Sequence, residues 1–348
     1  MGDEKTCPFD LRCEDGSIFF KGKITSRAAP LLMDAYHRSG TEDPIILDFS
    51  SMEHIDISGI NALIKLSLRA RRHGKKIVAY GLSPYFREVF TATRIDQAIF
   101  VESSDFAETS TDFSWKGSPW ARSVKRLALS HVPKDAINLN VEGLRAVGPV
   151  QGFGRLWEKT YTVRLGGIVT TPQEVIRTLK ENFPGFQPKG NRFYPTPSGI
   201  VPGEIVIINA STPLGLICTG VWVVYADDET FTFMTPQGHP ESGWVTFSAY
   251  EDQGAIVAQV QGFARANDPI YELGFVLAGS KVQEKIWTHV LASLASYLGA
   301  DGWVDMSKRC VDPGYQWDQI KNIWYNAQIR STMYLLKRLI FRKKGAGR

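Results

Sequence analysis

The sequence "EHIDISGINAL", residues 53–63, sets Ser58 two places after Asp56, next to Ile57 and directly before Gly59. Two chemistries suit a serine there. A hydroxyl at a helix start can accept a hydrogen bond from one of the unpaired N–H groups and act as a cap. Alternatively the hydroxyl accepts a phosphate. That adds roughly −1.5 to −2 charge at the end of a helix whose dipole favours it. A second group comprises Phe233, His239, Glu241, Trp244, Arg265 and Asp268. Each polar member suits a turn or the surface, and only a fold that encloses a cavity would make these the orienting groups of a ligand pocket. A third group lies near the C-terminus, where Lys337, Arg338, Arg342, Lys343 and Lys344 surround Leu336, Leu339, Ile340 and Phe341. A basic amphipathic helix of this kind fits an anionic membrane surface. It equally fits a helix packed on the body with a solvated basic end.

Known catalytic patterns do not emerge. The six histidines are scattered, and neither HExxH, GxSxG nor a P-loop occurs. "GPVQGFGRLW" holds three glycines but precedes a strand-like run, whereas a dinucleotide fingerprint follows a strand and opens a helix. Asp227 and Asp228 adjoin in a turn. The expectation is a protein that is not an enzyme, with no cofactor and no metal.

The elements that would position these groups follow from periodicity. Residues 16–24 and 44–50 read as strands, with a helix between them over 26–40. The helix after Ser58 puts Ile60, Leu63, Ile64 and Leu68 on one face and ends in Arg71, Arg72, His73 and Gly74. A strand over 75–82 leads to a helix with Ser83 as cap and Pro84 in its first position, and "DQAIFVES" returns as a strand. This alternation argues an α/β unit. Residues 106–138 read as a linker whose 120–136 stretch suits a connecting helix. Beyond 139 come a strand over 153–167, a helix capped by Thr171 with Pro172 after it, several strands joined by "ADDETF" and "EDQGA" turns, and a helix over 281–300. The expected domains are 1–105, 139–302 after the linker, and a basic tail over 303–348.

Residues 12–102 resemble a STAS domain, the module of anti-sigma factor antagonists and sulfate-transporter tails. "IILDFSSMEHIDISGINALI" and "ARRHGKKIVAYGLSPYFREVFTATRIDQAIFV" carry the resemblance, with Asp48, Asp56, Ser58, Gly59, Gly81, Pro84, Thr93 and Asp96 on the family's positions. Ile57 stands where the family often has a second Ser or Thr, Ile60 replaces Leu, and "TRID" replaces "TGLD". The resemblance implies a mixed sheet with helices and a partner of the anti-sigma factor or serine-kinase type. It also implies a phosphoacceptor at Ser58, with Asp56 shaping the loop and Gly59 admitting a partner's backbone. The alternative is a lipid- or hydrophobic-ligand-binding protein whose STAS domain only docks it to a larger assembly, as STAS subunits of lipid-transport ATPases do.

Residues 140–300 resemble helix-grip domains of the START and pollen-allergen type. "FTFMTPQGHPESGWVTFSAY", "VAQVQGFARANDPIYELGF" and "KVQEKIWTHVLASLASYL" carry this resemblance. It implies an α+β domain whose antiparallel sheet wraps a long C-terminal helix, with space for a lipid or other apolar small molecule. Val221, Val223, Phe231, Phe233, Trp244, Phe247 and Val260 would line that space. The same residues also make an ordinary filled core, and this is the stronger of the two readings.

The bulk numbers limit the partners. The 348 residues are 43% hydrophobic with a net charge of +4. Residues 319–348 hold eight Lys or Arg and no Asp or Glu, which leaves −4 for the rest. A chain-wide nucleic-acid footprint is therefore not expected. Four cysteines at unpaired spacings read as reduced thiols. The acidic "MGDEKTCPFD" start has no apolar signal segment, so the expected location is cytoplasmic, or peripheral at the inner face of a membrane.

Overall fold

The structure is a computed structural model. It describes all residues except 1–8, 15–16, 27, 39–42, 103–114, 213–214, 279–280 and 346–348. The chain forms two compact units, 1–118 and 119–348.

In the first unit the elements are β1 (Phe9–Glu14), β2 (Ser17–Ile24), α1 (Ala28–Arg38), β3 (Ile45–Ile55), α2 (Ile57–Arg72), β4 (Ile77–Tyr80), α3 (Pro84–Ala92) and β5 (Phe100–Val101). They build one mixed sheet in the order β1-β2-β3-β4-β5. β1 pairs antiparallel with β2, and the other pairs are parallel, joined by crossover helices. One sheet face buries Ile18, Phe20, Leu47 and Phe49. The other exposes Phe19, Ile46 and Tyr80. Ser83 caps α3 by accepting from the Phe86 N–H at 3.3 Å, with Pro84 following as the sequence predicts. β1 has no counterpart in the sequence reading, although Phe9, Leu11 and Cys13 alternate there with Asp10, Arg12 and Glu14 as a strand requires.

The second unit contains β6 (Ala146–Val147), β7 (Leu156–Leu165), α4 (Pro172–Asn182), β8 (Asn191–Tyr194), β9 (Ile205–Thr212), β10 (Gly215–Ala226), β11 (Thr230–Pro236), β12 (Glu241–Asp252), β13 (Ala255–Ala266), α5 (Pro269–Ala278), α6 (Lys281–Leu298), β14 (Val304–Asp312) and α7 (Ala327–Gly345). The long strands form an antiparallel sheet in the order β14-β7-β13-β12-β11-β10-β9-β8. α4 and α6 pack on its inner face through Val175, Ile176, Leu179, Val290, Leu291 and Leu294. This is a helix-grip arrangement of sheet and helix. A capping box starts α4: the Glu174 N–H donates to Thr171 Oγ1 at 3.2 Å, and the Thr171 N–H donates to Glu174 Oε2 at 3.1 Å.

Two expectations about the flanking segments do not hold. Residues 120–136 form no helix. They run as irregular chain along β10, with the Ala121 N–H donating to Val224 O at 2.9 Å and Trp120 stacked edgewise on Tyr225. Burial of Trp120 outweighs the weak helical pattern. The supposed tail from 303 onward begins instead with β14, which pairs with β7 along its length.

Candidate functional site

The apolar stripe of α2, with Ile57, Ile60, Leu63, Ile64 and Leu68 buried, holds the helix start against the carboxyl end of β3. Asp56 there has extended backbone, and its Oδ1 accepts the Gly59 N–H at 2.7 Å. Asp56 is thus the cap, which corrects the capping reading of Ser58. Ser58 lies in the first helical turn, partly exposed, with its hydroxyl outside the cap. Ile57 is a core residue at 2% exposure, so this place cannot present a second hydroxyl. A Cβ on Gly59 would fall 2.5 Å from the Ile24 carbonyl oxygen and 2.8 Å from Ile55 Cγ1. Its missing side chain therefore serves contact inside the unit rather than approach of a partner backbone. A phosphate on Ser58 would meet both the free N–H groups of the helix end and the carboxylate of Asp56, which repels it.

The second unit scatters the residues grouped by sequence. Phe233 lies in the filled core with Phe231 and Phe247, all three arranged edge-on around Phe183 at centroid distances of 5.2–5.8 Å. Trp244 points to the opposite sheet face and stacks on Phe263. His239 sits in the β11–β12 turn, where its Nδ1 accepts the Glu241 N–H at 3.1 Å. Burial pushes its imidazole down to about 4. Asp268, fully buried, accepts the N–H groups of Ile270 and Tyr271 and an N–H of the Asn326 side chain. It ties α5 to the start of α7.

Two of the group, Glu241 and Arg265, do line one cleft of about 400 Å³ on the inner face, beside the aromatic core. Arg265 is fixed in its wall: Nε donates to Pro149 O at 2.6 Å, Nη1 to Gly154 O at 2.9 Å, and Nη2 to Asp312 Oδ2 at 3.0 Å. Lys159 Nζ, 4.0 Å from Glu241 Oε1, donates to Gln283 Oε1, and Gln283 Nε2 donates to Glu241 Oε2 at 2.6 Å. Burial lowers the Lys159 ammonium pKa, with Lys308 acting in the same direction against Glu241. Burial raises the Glu241 carboxyl, opposed by Lys159. Lys308 Nζ stands 4.3 Å from the centre of the Trp157 ring. Sequence reasoning missed Lys159 and Lys308 because their meeting depends on strand register. One signal was legible: small residues alternate along "GFARA", so Gly262, Ala264 and Ala266 leave one face of β13 open. Among the described residues, no three His, Cys, Asp or Glu side chains gather as a metal would require.

At the C-terminus, α7 docks by its first turns and then emerges. Buried Ser331 Oγ accepts the Cys218 N–H at 3.0 Å. Met333, Leu336, Lys337, Arg338 and Ile340 are exposed. The side chains of Phe341, Arg342, Lys343 and Lys344 lie outside the described residues. Among the described residues no helix is long and apolar enough to cross a membrane.

Comparison with known proteins agrees with the first unit's architecture. Residues 9–102 match the family described as Mlab, STAS domain. The first unit is a STAS domain, an interaction module. Residues 159–293 match a domain of unknown function, DUF1990. Among solved structures, the di-domain ARO/CYC StfQ from the steffimycin biosynthetic pathway is 15% identical over 41% of this chain and 50% of its own, with a TM-score of 0.32. Protein Ms6760 from Mycobacterium smegmatis is 12% identical over 40% of this chain and 90% of its own, with a TM-score of 0.31. No protein of the curated set matches the sequence.

Proposed function

We propose that the chain is a non-enzymatic regulatory protein whose STAS unit binds a partner of the anti-sigma factor or serine-kinase type, and that phosphorylation of Ser58 switches this binding. The observation that carries the proposal is the division of labour at the α2 start. Asp56 makes the capping bond, so the Ser58 hydroxyl is partly exposed and not committed to holding the helix. A phosphate can shift binding only by interacting differently with the bound and free forms. Ser58 offers that difference, since the added charge alters a helix end without touching the core.

The test is quantitative binding of a partner recovered from the native host to wild type, Ser58→Ala and Ser58→Asp, with mass spectrometry of the native protein for phosphate on Ser58. The expected result is a phosphorylated fraction and at least a tenfold difference between the Ala and Asp variants. Equal affinity of all three would overturn the switch.

A second reading keeps the docking role and drops the switch. It draws on the Mlab description of the matched family and on the exposed apolar and basic residues of α7. In this reading the STAS unit joins a larger assembly and α7 touches an anionic membrane surface from the cytoplasmic side.

A further inference from the structure

The inner-face cleft of the second unit contains an arrangement that sheets ordinarily avoid. Residues directly opposite on neighbouring strands share a face, and like charges so placed repel. In the β14–β7 ladder Lys308 is the direct partner of Lys159, and both line the cleft. The next residue in that row, on β13, is Gly262. A Cβ there would meet nothing nearer than the Lys159 carbonyl oxygen at 4.0 Å. The two ammonium groups thus stand on a strand row whose third member leaves its space open. Local conflicts of this kind occur where a site is built for something else.

The lining beside the lysine pair is apolar, formed by Trp157, Ala264, Ala266 and Phe275.

We infer that this cleft binds a small organic anion whose negative group bridges the cross-strand lysines Lys159 and Lys308, and whose body lies along Trp157 and the open face of β13. The acidic members do not make the site cation-selective. Glu241 is held by Gln283 and faces Lys159, and Glu272 is balanced by Arg155 and Arg265. Glu284 lines the cleft together with Lys281, Lys159 and Lys308. At about 400 Å³ the space suits a ligand at the small end of the usual pocket range. The inference does not depend on the Ser58 switch.

The test uses the full chain and matched probes: 3-phenylpropionate and phenyl phosphate as anions, and 3-phenylpropanol as the neutral counterpart. Calorimetry and chemical-shift mapping are expected to show saturable binding of at least one anion, at least tenfold tighter than the alcohol. Lys308→Met, at an exposed position that folding tolerates, is expected to weaken the anion at least tenfold, in line with the loss of a charged hydrogen bond. Lys125→Met, away from the cleft, is expected to leave it unchanged. A parallel readout needs no tight ligand. Inorganic phosphate is expected to raise the melting temperature of wild type more than that of Lys308→Met. Absence of saturable anion binding, equal binding of the alcohol, or unchanged affinity in Lys308→Met would each overturn the inference.

Discussion

At the residue scale, the α2 start separates two jobs that the sequence joined in one serine. Asp56 holds the helix by its bond to the Gly59 N–H, and Ser58 does not. Asp56→Ala is therefore expected to destabilise the first unit by about 1 kcal/mol. Ser58→Ala is expected to change it by less than about 0.5 kcal/mol. Urea denaturation followed by a first-unit probe distinguishes the two, and an equal loss in both variants would return the cap to Ser58. The motif made this site legible as a loop at a helix start. It did not reveal which oxygen points at the N–H groups, because "DIS" permits a cap at either end, and burial of Ile57 decides the phase. Gly59 shows the same limit: its need for no side chain was legible, but the neighbour imposing it, the Ile24 carbonyl, is distant in sequence.

At the element scale, the β11–β12 hairpin stands on a neutral histidine. The neutral ring accepts the Glu241 N–H at Nδ1, which also lies 3.1 Å from the Glu241 carbonyl oxygen, and burial, opposed by that backbone contact, holds the ring near 4 against an ordinary 6.5. Between those values the unfolded chain binds more protons than the folded one, so the histidine's contribution is intact above pH 6.5 and lost as pH falls toward 4. The loss amounts to about 2–3 kcal/mol by linkage. Glu241 and Asp268, whose carboxyls burial raises, act in the opposite direction. Comparison of wild type with His239→Gln isolates the effect: wild type is expected to lose more stability than the variant between pH 7 and 4.5. Nuclear magnetic resonance titration is expected to show the His239 ring still neutral at pH 5, and an apparent value near 6.5 would refute the assignment. Elements with strong caps were the legible ones. Ser83-Pro84 and Thr171-Pro172 each began a helix where the sequence placed one. β14 was not legible, since Lys308 interrupts the alternation of Val304, Met306 and Cys310, and the strand is exposed along most of its length, as an edge strand is.

At the scale of the whole molecule, charge and core tell different stories. The core residues read from the sequence, Val221, Val223, Phe231, Phe233, Phe247 and Val260, do pack together, and Phe183 from the end of α4 fills the space among them. The plug could not be foreseen, because it comes from a helix rather than from the strands that define the sheet. The charge asymmetry, by contrast, was plain: eight basic and no acidic residues over 319–348 against a net −4 elsewhere. Full-length protein is expected to cosediment with vesicles containing phosphatidylglycerol and not with phosphatidylcholine alone. Lys337→Glu with Arg338→Glu is expected to cut binding at least tenfold, at about 1 kcal/mol per basic residue near the surface. Binding unaffected by the double change or by 0.5 M salt would set aside the membrane contact.

The pairing of β14 with β7 also fixes an order of events during synthesis. β7 leaves the ribosome first among the long strands, yet one of its two neighbours is completed only at Asp312, nearly 150 residues later. At about 5–20 residues per second, β7 keeps an open edge for about 7 to 30 seconds while the rest of the sheet assembles. During that interval Trp157 and Tyr161 flank unpaired backbone, a template for a wrong strand. The nascent chain should thus be most prone to association before residue 312 emerges, while β7 rather than the charged β14 still forms that edge of the sheet.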